Sequence, residues 1–264
     1  MPQIFPRSAN DAARISILAG IFLLGGLVWL GALMHKSGYR TGEGVYLDQP
    51  VPFSHEHHVR GLGLDCRYCH TSVETSTTAG IPPVATCMNC HRQIWTNSEM
   101  LEPIREAWRS GVPIQWERVH DLPDFVYFNH SVHVAKGIGC SECHGQVDEM
   151  PLTLQVASLD MQWCLQCHRD PAARVRPREE VFNLHWDPRT ASVEQLTRVG
   201  MDVASLTHAG DVSGAPELAS AHGEAGGNPE QEIRLTRAEQ TEFRRRLAEQ
   251  YDVHSLMSCS VCHR

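Results

Sequence analysis

The hydrophobic pattern of the chain is uneven. From Ile15 to Met34 the sequence runs without a charge, through leucine, isoleucine, valine and phenylalanine broken only by small residues and Trp29. Such a run predicts one helix long enough to cross a bilayer. A cleaved leader is the rival reading, but the run exceeds a usual leader core and no small-residue cleavage site follows it. An uncleaved anchor is therefore expected. Gly20, Gly25, Gly26 and Gly31 thin this helix, which fits close packing against another membrane helix or the ordinary frequency of glycine in such segments.

Past the anchor the pattern weakens. Residues 35–52 are rich in Gly and Pro and read as a linker. No strand-like alternation is sustained. An amphipathic helix is expected near Ser98–Arg109, with Leu101, Ile104 and Trp108 on one face. Residues 187–230 are low in apolar content and read as a surface excursion, most markedly in Ala209–Pro229. Thr236 and Glu239 form a capping-box pattern. The helix they open is expected to reach about Tyr251, with Phe243, Leu247 and Tyr251 inward and Arg244 to Arg246 on a solvated face.

The cysteines change this picture of a core-poor chain. All ten fall in five copies of Cys-x-x-Cys-His: Cys66–Cys69–His70, Cys87–Cys90–His91, Cys140–Cys143–His144, Cys164–Cys167–His168 and Cys259–Cys262–His263. One helical turn presents both thiols to the vinyl edge of a porphyrin, and the next residue ligates the iron. A lone pair of cysteines would suit a redox dithiol or a zinc site. Five copies, each followed by His and with no cysteine left over, predict five covalently attached haem c groups. Each haem would supply the apolar body that the chain lacks, so folding and attachment are expected to be coupled. Haem c is attached outside the bacterial inner membrane. The N-terminus is therefore expected in the cytoplasm and everything after the anchor in the periplasm.

A repeat is visible beneath the motifs. Phe53-Ser-His55-Glu-His57-His58 precedes Cys66, and Phe128-Asn-His130-Ser-Val-His133 precedes Cys140. Both continue through glycines, Gly61-Leu-Gly63 and Gly137-Ile-Gly139. His55 and His130 are 75 residues apart, Cys66 and Cys140 are 74, and Cys87 and Cys164 are 77. The expected organisation is a cytoplasmic N-terminus (1–14), an anchor (15–34), the linker (35–52) and a first dihaem module (53–91). An inter-module segment (92–127), a second dihaem module (128–168), the low-apolar excursion with its late helix (169–249) and a fifth haem site (250–264) follow. The fold class is mainly α with extensive irregular loops, one transmembrane helix and a haem-cored extracytoplasmic domain.

The second axial ligand decides whether an iron transfers electrons or binds substrate. His70, His91, His144, His168 and His263 are the proximal ligands. The repeat selects His55, His58, His130 and His133 as distal ligands, because each pair has i, i+3 spacing on one helical face. His57 aligns with Val132 and is a bystander. His35, His208 and His222 are non-ligands by position. For the fifth iron His120 comes first, followed by Met161, Met150, His254 and His185. Ordinary packing is the competing reading for either methionine.

The formal net charge of −8, from 23 basic and 31 acidic residues, argues against nucleic acid as a partner. No catalytic residues are expected. One motif haem carrying Lys in place of His would suggest an enzyme, and none does. A multihaem enzyme with an open iron, and a self-contained quinol dehydrogenase of the small tetrahaem type, are the alternatives.

The order of these elements resembles the pentahaem cytochrome c subunit of alternative complex III, the bacterial quinol:acceptor oxidoreductase. It runs from the anchor through Phe-Ser-His-x-x-His, Asp65-Cys-Arg-Tyr-Cys-His70 and Ile81-Pro-Pro-Val-Ala-Thr-Cys-Met-Asn-Cys-His91. It then continues through Phe-Asn-His-x-x-His and Met161-Gln-Trp-Cys-Leu-Gln-Cys-His168 to the terminal fifth motif. The resemblance covers 10–186 and 250–264. The Phe-x-His-x-x-His element is also similar to class III multihaem cytochromes. The resemblance implies electron relay from an iron–sulfur subunit towards a monohaem cytochrome, a soluble carrier or a terminal oxidase. It also implies packing of the anchor against membrane subunits.

Overall fold

The computed structural model describes residues 6–206 and 232–263. Ala209–Pro229, His208 and His222 lie outside the described residues. The fold is roughly half helical, in short pieces joined by irregular loops, with one long N-terminal helix.

That helix spans Arg7–His35 and begins after Pro6, earlier than the charge-free run, because Ala9, Ala12 and Ala13 extend it. The most apolar 18-residue window within Ser8–His35 has a mean hydropathy of 2.3, and none of that window is buried against the rest of the chain. At 1.5 Å per residue the 29-residue helix is roughly 44 Å long, more than the ~30 Å of a bilayer core. It is long and apolar enough to cross a membrane.

Gly42, at φ +75°, ends the short turn Gly38–Thr41 that follows. The chain is then sewn to the second half of the molecule. Glu43 bridges to Gln155 and Tyr46 to Leu154. The Gly44 amide donates to the Gln155 carbonyl at 2.7 Å, and the buried Gln155 side chain donates to the Thr41 carbonyl at 2.9 Å. A linker rich in Gly and Pro thus has a fixed path.

Between the repeat histidines and the first motif the two modules differ by one residue, and the backbone shows where it goes. In the second, His130–Ala135 is an α-helix capped by Asn129, whose side chain accepts from the Val132 amide. In the first, Glu56–Gly61 is a π-helix, which takes one more residue per turn. The π-helix absorbs the extra residue between His55 and Cys66. Gly63 and Gly137 are consequently the equivalent positions, both left-handed at φ +68° and +75°. This corrects the pairing of Gly61 with Gly137 that matching the two Gly-x-Gly patterns suggests.

The inter-module helix forms as a 3-10 turn, Glu99–Leu101, leading into Glu102–Ser110. Leu101, Ile104 and Ala107 are buried, at three-residue spacing, and Trp108 is exposed. The tighter opening turn rotates the inward face away from Trp108. With Val51, Leu101 and Ile104 form a small cluster against Cys87 and Met88.

The stretch expected to be a surface excursion carries the larger core. Strands Thr190–Ser192 and Glu232–Arg234 pair antiparallel, with Ala191 opposite Ile233. Val175, Leu196, Met201, Leu206, Phe243, Leu247 and Tyr251 pack beneath them. The low average hydrophobicity concealed this because each apolar residue is separated by polar ones that face outward. The late helix spans Arg237–Gln250 with the full capping box of Thr236 and Glu239. Phe243, Leu247 and Tyr251 are buried at four-residue spacing. The arginine run is not one solvated face. Arg244 donates to the Ala173 carbonyl and lies over the Trp186 ring, and Arg246 donates to the Gly200 carbonyl. Arg245 pairs outward with Glu242 and Glu249, and Arg246 shares Glu242.

Candidate haem-binding sites

Each motif is built on a helical turn. Asp65 caps Cys66–Cys69 by accepting from the Arg67 amide, and Asp160 caps Met161–Arg169 by accepting from the Trp163 amide. Val84–His91 and Ser141–His144 carry the second and third motifs, and Cys259–Val261 is a 3-10 turn. In the first, third and fifth motifs the His amide donates to the carbonyl of the first Cys, at 2.9, 3.0 and 2.9 Å.

The four repeat histidines face four motif histidines. The ring centroids of His55 and His70 are 6.5 Å apart and nearly parallel at 10°; those of His130 and His144 are 6.4 Å apart at 12°. His58 and His91 are separated by 6.2 Å at 61°, and His133 and His168 by 6.3 Å at 62°. A metal–imidazole bond is about 2 Å, so two rings sharing one metal stand roughly 6 Å apart. All four pairs meet that separation. Among the described residues no group of three or more His, Cys, Asp or Glu is arranged to hold a bare metal ion. The residues therefore fit a macrocycle between paired imidazoles better than a zinc site.

The rings are held by their second nitrogens. Nδ1 of His58 and His133 lies 2.8 and 2.7 Å from the Ser54 and Asn129 carbonyls, four residues back in each case. The Phe53 ring stacks on His58 at 4.4 Å and stands edge-on to His55 at 4.9 Å. Phe128 does the same to His133 at 4.5 Å and to His130 at 4.8 Å. One phenylalanine thus orients both histidines of its module. With Nδ1 engaged, Nε2 is left to face the pair.

The other two distal candidates are fixed across the molecule. Nδ1 of His130 lies 2.9 Å from the Thr77 carbonyl, in the loop after the first motif. Nδ1 of His55 lies 2.9 Å from Oγ1 of Thr153, in the loop after the third. The modules therefore interlock reciprocally at the first and third sites. Neither threonine carried a sequence signal, because the contacts join segments far apart in the chain.

Burial is the main influence on the titratable groups. It pushes the His55 pKa down to about 4, with His70 and His58 adding to the effect. It pushes His144 down to about 3, helped by His120 and His130. Both shifts favour the neutral imidazole, the form that ligates. Burial pushes the Cys140 thiol up to about 11 and that of Cys143 up to about 12. No disulfide joins any of the ten cysteines.

The fifth motif is arranged differently. Nδ1 of His263 lies 3.0 Å from the Phe125 carbonyl, and the Phe125 ring stacks on it at 5.7 Å. The Tyr127 amide donates to the Cys262 carbonyl at 2.8 Å. Among the described residues no histidine ring faces His263 as the other four are faced. The structure places His120 beside His144, its Nε2 3.2 Å from His144 Nδ1. His185 is bound to Asp148 at 2.7 Å, and His254 is exposed near Asp252. Met150 is buried, with its carbonyl accepting from the Glu56 amide. Met161 is exposed at the start of the helix carrying Cys164. His57 stacks on Trp95 at 5.3 Å, and His35 ends the N-terminal helix.

Residues 126–191 match the family model described as cytochrome c7 and related cytochrome c. Over 126 residues the chain is 33% identical to the protein named "Menaquinone reductase, multiheme cytochrome c subunit" from Nitratidesulfovibrio vulgaris. The match covers 47% of this chain and 53% of that protein, so it spans about half the length of this curated relative. The matched family segment runs from before Phe128 to beyond the fourth motif. That segment is similar to cytochrome c7 and related cytochromes c, proteins that carry covalently bound haem c.

Proposed function

We propose that the chain is a membrane-anchored pentahaem cytochrome c that relays electrons within a respiratory quinol:acceptor oxidoreductase. The observation that carries this reading is the set of four histidine pairs at near-equal separation. Haem c between two strong axial ligands supplies one-electron chemistry with little rearrangement at the iron. The chain's own residues hold the macrocycles through the ten motif cysteines and orient the imidazoles through Phe53, Phe128 and the anchors at Nδ1. His70, His91, His144, His168 and His263 serve as proximal ligands, and His55, His58, His130 and His133 as distal ones. With His120 at His144, Met161 becomes the first candidate for the fifth iron. It lies one turn before Cys164, and the His168 carbonyl on the same helix accepts from the Leu256 amide, just ahead of the fifth motif.

Local contacts support an order for the sites. One helix carries His55 and His58, joining the first and second. The reciprocal threonine contacts join the first and third. His130 and His133 join the third and fourth. The Ser255 hydroxyl donates to the His168 carbonyl at 3.0 Å, joining the fourth to the fifth. The order is second, first, third, fourth, fifth, with the second and fifth at the ends.

The N-terminal helix acts as a single-pass anchor in the inner membrane, with its start in the cytoplasm and the haem domain outside. Partners of the alternative complex III kind follow from the sequence resemblance. They are membrane and iron–sulfur subunits, with a monohaem cytochrome, soluble carrier or terminal oxidase as acceptor. The similarity to a menaquinone reductase subunit favours a second reading, in which electrons run towards menaquinone. The intact complex distinguishes them: menaquinol reduces its haems rapidly in the first case, and a reduced soluble cytochrome drives menaquinone reduction in the second. Mass spectrometry of the chain is expected to show five haem additions, and low-temperature EPR of the oxidised protein only low-spin ferric signals. A stoichiometric high-spin signal overturns the relay reading in favour of an enzyme with an open iron.

A further inference from the structure

Nine histidines stand in the paired sites and the fifth motif, and Nδ1 of each has a partner. Seven of these partners are main-chain carbonyls, at Ser54, Thr77, Gly80, Ile94, Asn129, Phe125 and Leu256. His55 has the Thr153 hydroxyl. His144 alone has another imidazole, Nε2 of His120 at 3.2 Å, with the two ring centroids 4.3 Å apart and 70° between planes. The two modules are otherwise closely alike. His70, which corresponds to His144, has the Gly80 carbonyl at 2.7 Å, and the position aligned with His120 in the first module is Val45.

The protons follow from the chemistry of the pair. If His144 faces its macrocycle through Nε2, its Nδ1 carries hydrogen and donates. His120 Nε2 must then offer its lone pair, with its own hydrogen on Nδ1. An imidazole nitrogen is a more basic acceptor than an amide carbonyl. Donation to it leaves more negative charge on the His144 ring, which strengthens the ring as a ligand and favours the oxidised metal.

We propose that His120 is a positioning residue for His144 that lowers the reduction potential of the third haem, and that it is not itself an iron ligand. This rests on the reading of His144 as a proximal ligand and goes beyond it. In the proposed order the third site is the middle one, so its potential sets the height of the internal step in the relay.

The test compares the full-length holoprotein with its His120→Ala and His120→Gln variants, using EPR together with a spectroelectrochemical redox titration. The wild-type spectrum reads the underlying assignment: absence of low-spin bis-imidazole signals overturns the haem reading itself. If those signals are present, His120→Ala is expected to keep every haem and every low-spin signal while the potential of one haem rises. His120→Gln, whose side-chain carbonyl replaces the imidazole with an ordinary amide acceptor, is expected to give a smaller rise of the same sign. A new high-spin haem in His120→Ala makes His120 an iron ligand and overturns the proposal, as do unchanged potentials. If His120→Ala fails to assemble, the His120→Gln potential decides alone: a rise at one low-spin haem supports the assignment, and no shift overturns it.

Discussion

At the scale of single residues, the same task is done by different atoms in the two modules. The His130 ring is held by a main-chain carbonyl of Thr77, whereas the His55 ring is held by the side-chain hydroxyl of Thr153. Thr77→Ala therefore leaves its contact in place and is expected to be silent at the haems. Thr153→Ala removes the partner of a half-buried imidazole, at a cost of about 1–3 kcal/mol for the unsatisfied group. It is expected to alter the EPR signal and potential of one haem only. An equal effect of the two substitutions contradicts the asymmetry. The four histidines that face motif histidines were legible in the sequence, because the Phe-x-His-x-x-His repeat separates His55 and His58 from the intervening His57. The contact of His120 with His144 was not legible. A histidine unmatched in the repeat reads as a spare ligand until its neighbour is known.

At the scale of elements, one inserted residue explains why the modules are helical in different ways. The π-helix of the first module absorbs it before Gly63, so that the chain re-enters register at the left-handed glycine. Gly63 has open space where a Cβ would stand. At Gly137 an added Cβ would lie 2.6 Å from the Arg176 carbonyl and 2.9 Å from the Tyr251 ring. Gly63→Ala is expected to cost about 1 kcal/mol, for backbone strain alone. Gly137→Ala adds overpacking, typically about 1–3 kcal/mol more. Thermal unfolding followed by circular dichroism ranks the pair, and a larger loss for Gly63→Ala argues against this account. The capping box at Thr236 was readable because it is local. The rotation that buries Ala107 in place of Trp108 was not, because a 3-10 turn at the helix start leaves no mark in the hydrophobic period.

Across the whole molecule, stabilisation is divided. The buried residues concentrate in the cluster of Val175, Leu196, Phe243, Leu247 and Tyr251, and the modules themselves hold few. Leu247→Ala opens a cavity in that cluster and is expected to cost about 2–5 kcal/mol. The loss should appear in thermal denaturation with the number of attached haems unchanged; haem loss in the folded variant would show that this core and the haem sites are one unit. Tyr251 links the two regions, since its hydroxyl accepts from the Arg178 amide at 3.3 Å while its ring abuts Gly137. The sequence by itself determined the apolar N-terminal helix, the five Cys-x-x-Cys-His motifs and the Phe-x-His-x-x-His repeat, because each is written in local spacing: an uncharged run, a pentapeptide, a phenylalanine and two histidines. Only the tertiary structure decided what lies across long separations. It brought Thr77 and Thr153 to opposite modules, turned His120 onto His144, and assembled a core from apolar residues scattered through a polar stretch. Those contacts depend on which surfaces meet when the chain closes, and spacing along the chain carries no record of that.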